Sequence, residues 1–351
     1  MKKLLAILLV SFFTTQALAD YRMIVPQKPG GGTDVWARIV AKELEKKLGE
    51  RIIIENIPGI EDIPGMNKFH NELRKDPKVM IVSNGGNAES YLLRKVDYNY
   101  HDYSLVGLQN LTIVVGKRND QKIDKELRFA AGSGNNPDIM AITMLQCGPQ
   151  KSINDYLACY RKKIIYVEGM NGATRRLSYA QGELNATRET TAAYFKYAKP
   201  LKENSDWFAQ GVLDLNTGRV VSDPNFPGLH FNDVYRRRWG DDPKGEFYDT
   251  YLLVKNYRDV LQKAIWVDKN NPNKAKLEAA LRAMVNDPES KAAVEKDTGK
   301  YEWVIGETEG NNVLDKLTEL TTEKNLKNLQ YWSKEAYGFN ALYKPELLRK
   351  K

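Results

Sequence analysis

The sequence predicts an α/β chain folded as two lobes, each built on a mixed, mostly parallel sheet flanked by helices, with a cleft between them. Runs rich in β-branched residues alternate with runs of helical period at βαβ spacing. The 351 residues leave room for about two domains, each able to bury its own core. Glycine-, serine- and asparagine-rich loops recur at strand-to-helix junctions in both halves. With 42% hydrophobic and 28% charged residues, the composition excludes a collagen, a disordered tail or a disulfide miniprotein. Only one apolar run approaches a membrane-active segment, which excludes a multi-span transporter or channel.

That run opens the chain. Lys2 and Lys3 precede the apolar stretch Leu4 to Phe13, and Ala17-Leu18-Ala19 supplies small residues for a peptidase. Residues 1–19 therefore read as a cleaved secretory signal, too short for an anchor helix, with the mature chain starting near Asp20. Losing the two lysines lowers the formal charge from +8 to +6, a modest positive excess that draws small anions. The densest basic run, Arg236-Arg237-Arg238, breaks at Trp239 and Asp241-Asp242 and reads as a solvated face, so no nucleic-acid partner is expected.

Tyr21 to Val25 is a first strand. Val35, Trp36, Ile39, Val40, Leu44 and Leu48 then fall on one helical face over 33–48, and Gly49 ends the helix. Strands follow at Arg51 to Glu55 and Val79 to Val82, with a helix near 65–75 between them. Leu105 to Val115 is apolar enough to pass between lobes. Strands at Leu127 to Ala131 and Ile164 to Val167 carry helices near 137–147 and 171–182. After a less legible stretch, Ala264 to Val267 is a late strand, and Leu277, Ala280, Leu281, Met284 and Val285 open a helical tail to about 328. The expected division is lobe 1 at 20–115 plus 263–351, and lobe 2 at 116–262, inserted and carrying an extra segment at about 190–260.

Cys147 and Cys159 are the only cysteines, and an exported pair predicts a disulfide stapling one local segment. With His70, His101 and His230 scattered, neither a metal site nor a cofactor is expected.

The sharpest local signal is Pro26-Gln27-Lys28-Pro29-Gly30-Gly31-Gly32-Thr33-Asp34, which leaves a strand and opens a helix. Three glycines allow close backbone approach, and the free N–H groups of the helix start favour a carboxylate or phosphate. Thr33 or Asp34 can cap that helix. Neither the Gly-Lys-Ser/Thr of a nucleotide phosphate loop nor a dinucleotide G-x-G-x-x-G is present. Three further loops follow strands: Ser83-Asn84-Gly85, Gly132-Ser133-Gly134-Asn135, and Glu168 to Thr174 with Asn171, Gly172 and Thr174. In open α/β sheets, ligands gather at such carboxyl ends.

Val25 to Gly59 resembles the opening of the solute-binding proteins of tripartite tricarboxylate transporters, the Bug family. Its marks here are Pro26, Pro29-Gly30-Gly31, Asp34, Lys47-Leu48-Gly49 and Glu55-Asn56-Ile57-Pro58-Gly59. Ser83-Asn84-Gly85, Gly132-Ser133-Gly134, Tyr166 to Asn185 and Ala280 to Glu289 are similar to later family segments. The resemblance implies a Venus-flytrap fold and a monomeric periplasmic receptor that hands a small carboxylate to integral-membrane permease subunits. It also implies that loop backbone, hydroxyls and waters grip the acid. The same clamshell could instead serve an extracytoplasmic sensor.

An enzyme is not expected, since Ser133 lacks a G-x-S-x-G elbow and no histidine stands by. The chain departs from the family where Gln27 replaces a common aromatic residue and Ile60-Glu61-Asp62 replaces a Gly-rich A-G-G. Asn185 stands where a final aspartate is usual. Glu189 falls near a family carboxylate facing the cleft, where it would receive an amine or hydroxyl; the competing reading is an exposed glutamate on a strand end.

Overall fold

A computed structural model describes residues 20–119, 126–131, 137–198 and 204–348. The signal-like residues 1–19 and the loop residues Ser133, Gly134 and Asn135 lie outside the described residues.

The first lobe begins with β1 (Tyr21–Val25), whose apolar side chains are buried on both faces of a sheet. Helix α1 (Gly32–Leu48) buries Val35, Trp36, Val40, Leu44 and Leu48. It stops at Gly49, which turns left-handed (φ 68°) and donates its N–H to Glu45 O. Then come β2 (Ile52–Asn56), α2 (Ile63–Lys68), β3 (Val79–Ser83), α3 (Gly85–Leu93) and β4 (Tyr103–Gln109). The helix read near 65–75 is α2 followed by a wider turn at Phe69–Leu73, because Pro64 starts it early and the last turn is under-wound.

The second lobe holds β5 (Ile113–Arg118), β6 (Leu127–Ala131), α4 (Pro137–Cys147), α5 (Ile153–Lys163), β7 (Ile164–Glu168), α6 (Gly172–Ala180) and β8 (Ala186–Thr190). It continues through α7 (Thr191–Ala193), β9 (Ser205–Ala209), the ribbon β10 (Val212–Leu213) and β11 (Val220–Val221), α8 (Phe231–Trp239) and α9 (Glu246–Leu261). The chain then returns as β12 (Ala264–Asp268), α10 (Lys274–Asn286), α11 (Pro288–Thr298), β13 (Trp303–Val304), α12 (Glu307–Leu320) and α13 (Glu323–Tyr337).

Two sheets result, ordered β13-β4-β12-β3-β1-β2 and β7-β6-β8-β5-β9. Each is mixed. β1 pairs parallel with β2 and β3, and β6 pairs parallel with β7 and β8, as βαβ units demand. Antiparallel pairing gathers around β12 in one sheet and β5 in the other, the strands adjoining the passages between lobes.

Those passages are short: Asn110-Leu111-Thr112 outward and Gln262-Lys263 back. They are bonded to each other, with Gln262 Nε2 donating to Leu111 O at 3.1 Å and the Gln109 N–H donating to Lys263 O at 3.1 Å. The stretch 190–260 is built into the body. β9 forms an edge of the second sheet, and α9 packs against α3 of the first lobe and against α4, α5 and α13. Behind the cleft, Arg258 of α9 is fully buried and pairs with Asp138 of α4 (2.6 Å) and with Asp259 (2.7 Å). Cys147 and Cys159 are joined in a disulfide that ties the end of α4 to α5.

Candidate functional site

A cleft of about 540 Å³ opens between the lobes. Gln27–Pro29 and Gly31–Thr33 of one loop, the loop Pro58–Asp62 and the start of α3 wall one side. The loop Gly169–Gly172, Arg175 and Arg176 of α6, and Arg188–Thr190 of β8 wall the other. Gln262 and Lys263 of the return passage lie between them.

The start of α1 is shaped by its loop. Gly30 is left-handed (φ 78°) and its N–H donates to Asp34 Oδ2 at 2.8 Å. Burial opposes ionisation of Asp34, but bonds from Arg38, the Gly30 N–H and Asn56 hold its carboxyl below the usual value. The expected capping by Thr33 or Asp34 does not occur. The cap position is Gly31, without a side-chain bond, and Gln27 Oε1 folds back to accept the Thr33 N–H at 3.1 Å. A Cβ on Gly31 would lie 2.2 Å from that oxygen, so the missing side chain makes room for the amide. A Cβ on Gly32 would lie 2.4 Å from Thr190 Oγ1 of the opposite sheet, so this glycine lets the two lobes meet.

Lys263 is 1% exposed. Its Nζ donates to Thr33 Oγ1 at 2.9 Å and to Gln262 O at 3.1 Å, and no carboxylate of the described residues pairs with it. Burial, reinforced by Arg188 and opposed by Asp62, pushes this ammonium down to about 7. Asp62 is half-buried. Burial pushes its carboxyl up to about 7, against the opposing pull of Asn84, Gln27, Arg188 and Lys263. Glu61 and Asp62 both have positive φ (55° and 61°), a region that non-glycine residues seldom occupy and that accumulates at functional sites. Glu61 turns away to pair with Arg94.

On the other wall, Glu189 is 1% exposed, which removes the exposed-glutamate reading. It pairs with Arg176 at 2.9 Å and Arg175 at 3.7 Å. Burial brings Arg175 down to about 10 despite Glu189. Arg188 pairs with Asp138 at 3.1 Å and so reaches the buried cluster on α9.

Of the residues singled out in the sequence, Gly31, Gly32, Thr33, Asn171, Gly172 and Glu189 line this cleft together. Gly30 and Asp34 lie behind it, bonded to one another. Ser83 is buried in the sheet, donating to Leu261 O and accepting from Trp266 Nε1 at 2.9 Å. Asn84 caps α3, accepting the Asn87 N–H at 3.1 Å. Thr174 is exposed in the first turn of α6, with its N–H bonded to Asn171 Oδ1 at 3.0 Å. Ser133, Gly134 and Asn135 are outside the described residues.

Sequence reasoning missed Gln27, Asp62, Arg175, Arg188 and Lys263 as cleft residues. The available signal for Lys263 was a single charge within the apolar run Val260 to Val267. Among the described residues, no cluster of three His, Cys, Asp or Glu side chains could hold a metal ion. None of the helices described is long and apolar enough to cross a membrane.

No family model matches the sequence. A stretch of 44 residues is 43% identical to protein BugT of Bordetella pertussis, covering 12% of this chain and only 14% of that protein. The periplasmic binding protein BugD superposes with a TM-score of 0.59 at 16% identity, over 90% of this chain and 97% of that one. MatC from Rhodopseudomonas palustris with bound malate gives 0.57 at 17% identity, over 88% and 99%. A further R. palustris protein, with adipate, gives 0.57 at 13% identity, over 92% and 98%. The two sheets and the cleft between them are thus the fold of these solute-binding proteins.

Proposed function

We propose that this chain is a periplasmic solute-binding protein that captures a small organic acid in its cleft. In this reading it presents the acid to the permease of a tripartite tricarboxylate-type transporter. The observation that carries the proposal is Lys263, a buried ammonium at the mouth of α1 that has neutral hydrogen-bond partners and no ion pair with a carboxylate of the described residues. A buried charge without its opposite is costly, and a ligand carboxylate supplies it. The same carboxylate would sit at the positive end of α1, so two independent features of the wall ask for the same group.

The fold likeness supports a protein that opens and closes on its solute, and the likeness to MatC and the adipate-holding protein supports an acid as that solute. The signal-like residues 1–19 support export, and the mature chain would act as a monomer.

The test is a thermal-shift screen of the chain from Asp20 onward against mono-, di- and tricarboxylates, with neutral sugars and simple cations as controls. An acid at one hundred times its Kd should add about 2.7 kcal/mol of stability. A flat response to every acid, with a shift for a sugar or a cation, would overturn the proposal.

A further inference from the structure

Two helix starts of the first lobe, those of α1 and α3, face the cleft, and each favours a negative group. They are not equally open. The carboxylate of Asp62 lies over the first turn of α3, and a Cβ on Gly86 would come within 2.7 Å of its Oδ2. A side chain at 86 would push that carboxylate from its place. Asp62 and its neighbour Glu61 hold left-handed backbone to reach this place, so the chain tolerates strain to put an acid there. At the α1 side the wall presents the ammonium of Lys263 instead.

The remaining charges inside the rim pair off. Glu189 holds Arg175 and Arg176, Asp138 holds Arg188, and Arg94 holds Glu61. That leaves one cation, Lys263, and one anion, Asp62, without an ion-pair partner among the described residues that line the interior; Lys28 is out at the exposed edge.

We infer that Asp62 is the protein's own carboxylate placed where a second acid group of a ligand would dock, so that the cleft selects an acid with one carboxylate, seated at Lys263, and a hydrogen-bond donor facing Asp62. The donor is a hydroxyl or an ammonium. A dicarboxylate would set its second charge against Asp62 at a helix start that is already filled, and like charges in a confined site repel. A plain fatty acid would leave the Asp62 oxygens without the water they lose on closure. This selectivity rests on the acid-capturing reading above and narrows it.

The experiment uses titration calorimetry at pH 8, above the value of about 7 at which Asp62 gives up its proton, with straight-chain acids of three to eight carbons whose far end is methyl, hydroxyl, ammonium or carboxylate. The proteins are the wild-type chain, Asp62→Asn and Asp62→Gly. Asn is at home at positive φ and Gly more so, so both variants keep the backbone; melting without ligand checks this.

For the wild type, a hydroxyl- or ammonium-ended acid should bind at least tenfold more tightly than its methyl- and carboxylate-ended partners of equal length. Which of the two wins identifies the donor. In both variants the preference should collapse, with the dicarboxylate gaining tenfold or more and the ammonium-ended acid losing as much. Wild-type binding of a dicarboxylate as tight as that of any donor-bearing acid, or a ranking that ignores position 62, would overturn the inference while leaving acid capture intact. If no acid of the series binds the wild type, the broader reading fails with it.

Discussion

Replacing Lys263 with methionine should stabilise the unliganded protein and loosen its hold on the ligand. The ammonium is 1% exposed, bonded only to a hydroxyl and a carbonyl, and its pKa falls from 10.5 to about 7 on folding. At 1.36 kcal/mol per unit, that gap sets a ceiling of roughly 5 kcal/mol on what the folded state gives up to carry the charge. Water in the cleft and the loss of two hydrogen bonds reduce the gain, and we expect about 1–2 kcal/mol, read as a melting rise of roughly 1–3 °C in a chain this long. Methionine has similar length and fills the same space without a charge.

For the ligand the sign reverses. Losing a charge-assisted hydrogen bond costs about 1.5–3 kcal/mol, a Kd some 10- to 150-fold weaker. The assay is a melting curve and a calorimetric titration on both proteins, using the best acid from the carboxylate panel. A variant that melts lower than the wild type and binds as tightly would refute the reasoning, because Lys263 would then be a structural residue.

Stability should depend on pH through the same two groups. Folded Asp62 keeps its proton to about pH 7 against 3.8 when unfolded, so its contribution falls as pH rises between those values; folded Lys263 loses its proton near 7 against 10.5 when unfolded, so stability climbs above 7. Urea midpoints across this range should dip near neutrality, with Asp62→Asn flattening the acid limb and Lys263→Met the alkaline one; an unchanged alkaline limb in Lys263→Met would contradict the assignment. Gly32→Val places a side chain against Thr190 where the two lobes meet and should weaken ligand binding more than tenfold in a calorimetric titration. Arg258→Met leaves Asp138 and Asp259 buried without their shared guanidinium and should cost about 3–5 kcal/mol in chemical unfolding. Cutting the Cys147–Cys159 bridge by double alanine replacement should lower stability by roughly 3 kcal/mol, the value for a loop of this length, and leave acid binding unchanged.

The periodic elements were legible because their burial is simple. The helix read at 33–48 is α1, and the strands at 79–82, 127–131, 164–167 and 264–267 sit within β3, β6, β7 and β12. The glycine-rich loop declared itself through composition, and it does line the cleft. The outward passage was hidden inside Leu105 to Val115, because β4 and the start of β5 are buried throughout and only Gln109, Asn110 and Thr112 interrupt the apolar run.

Helix α9 escaped notice for a different reason. Lys255, Arg258 and Asp259 are buried and paired with partners distant in sequence or on the same helix, so the usual apolar stripe is broken by charges that never see water. The charged cleft was unreadable on similar grounds. Lys263 and Thr33 are brought together by a sheet that joins the two ends of the chain, and Asp62 reaches α3 only through a backbone form its residue type seldom adopts.

Lys263 is half of the two-residue passage by which the chain re-enters the first sheet, and that passage is bonded to its outward counterpart through Gln262 and Leu111. On the proposed reading, the side chain that would meet the acid is therefore mounted on the passage between the lobes. If one lobe turned against the other on this passage, the ammonium would be re-aimed directly, without any relay of intermediate side chains. In that reading selectivity and closure would share a single residue, so a mutation that retunes one would retune the other.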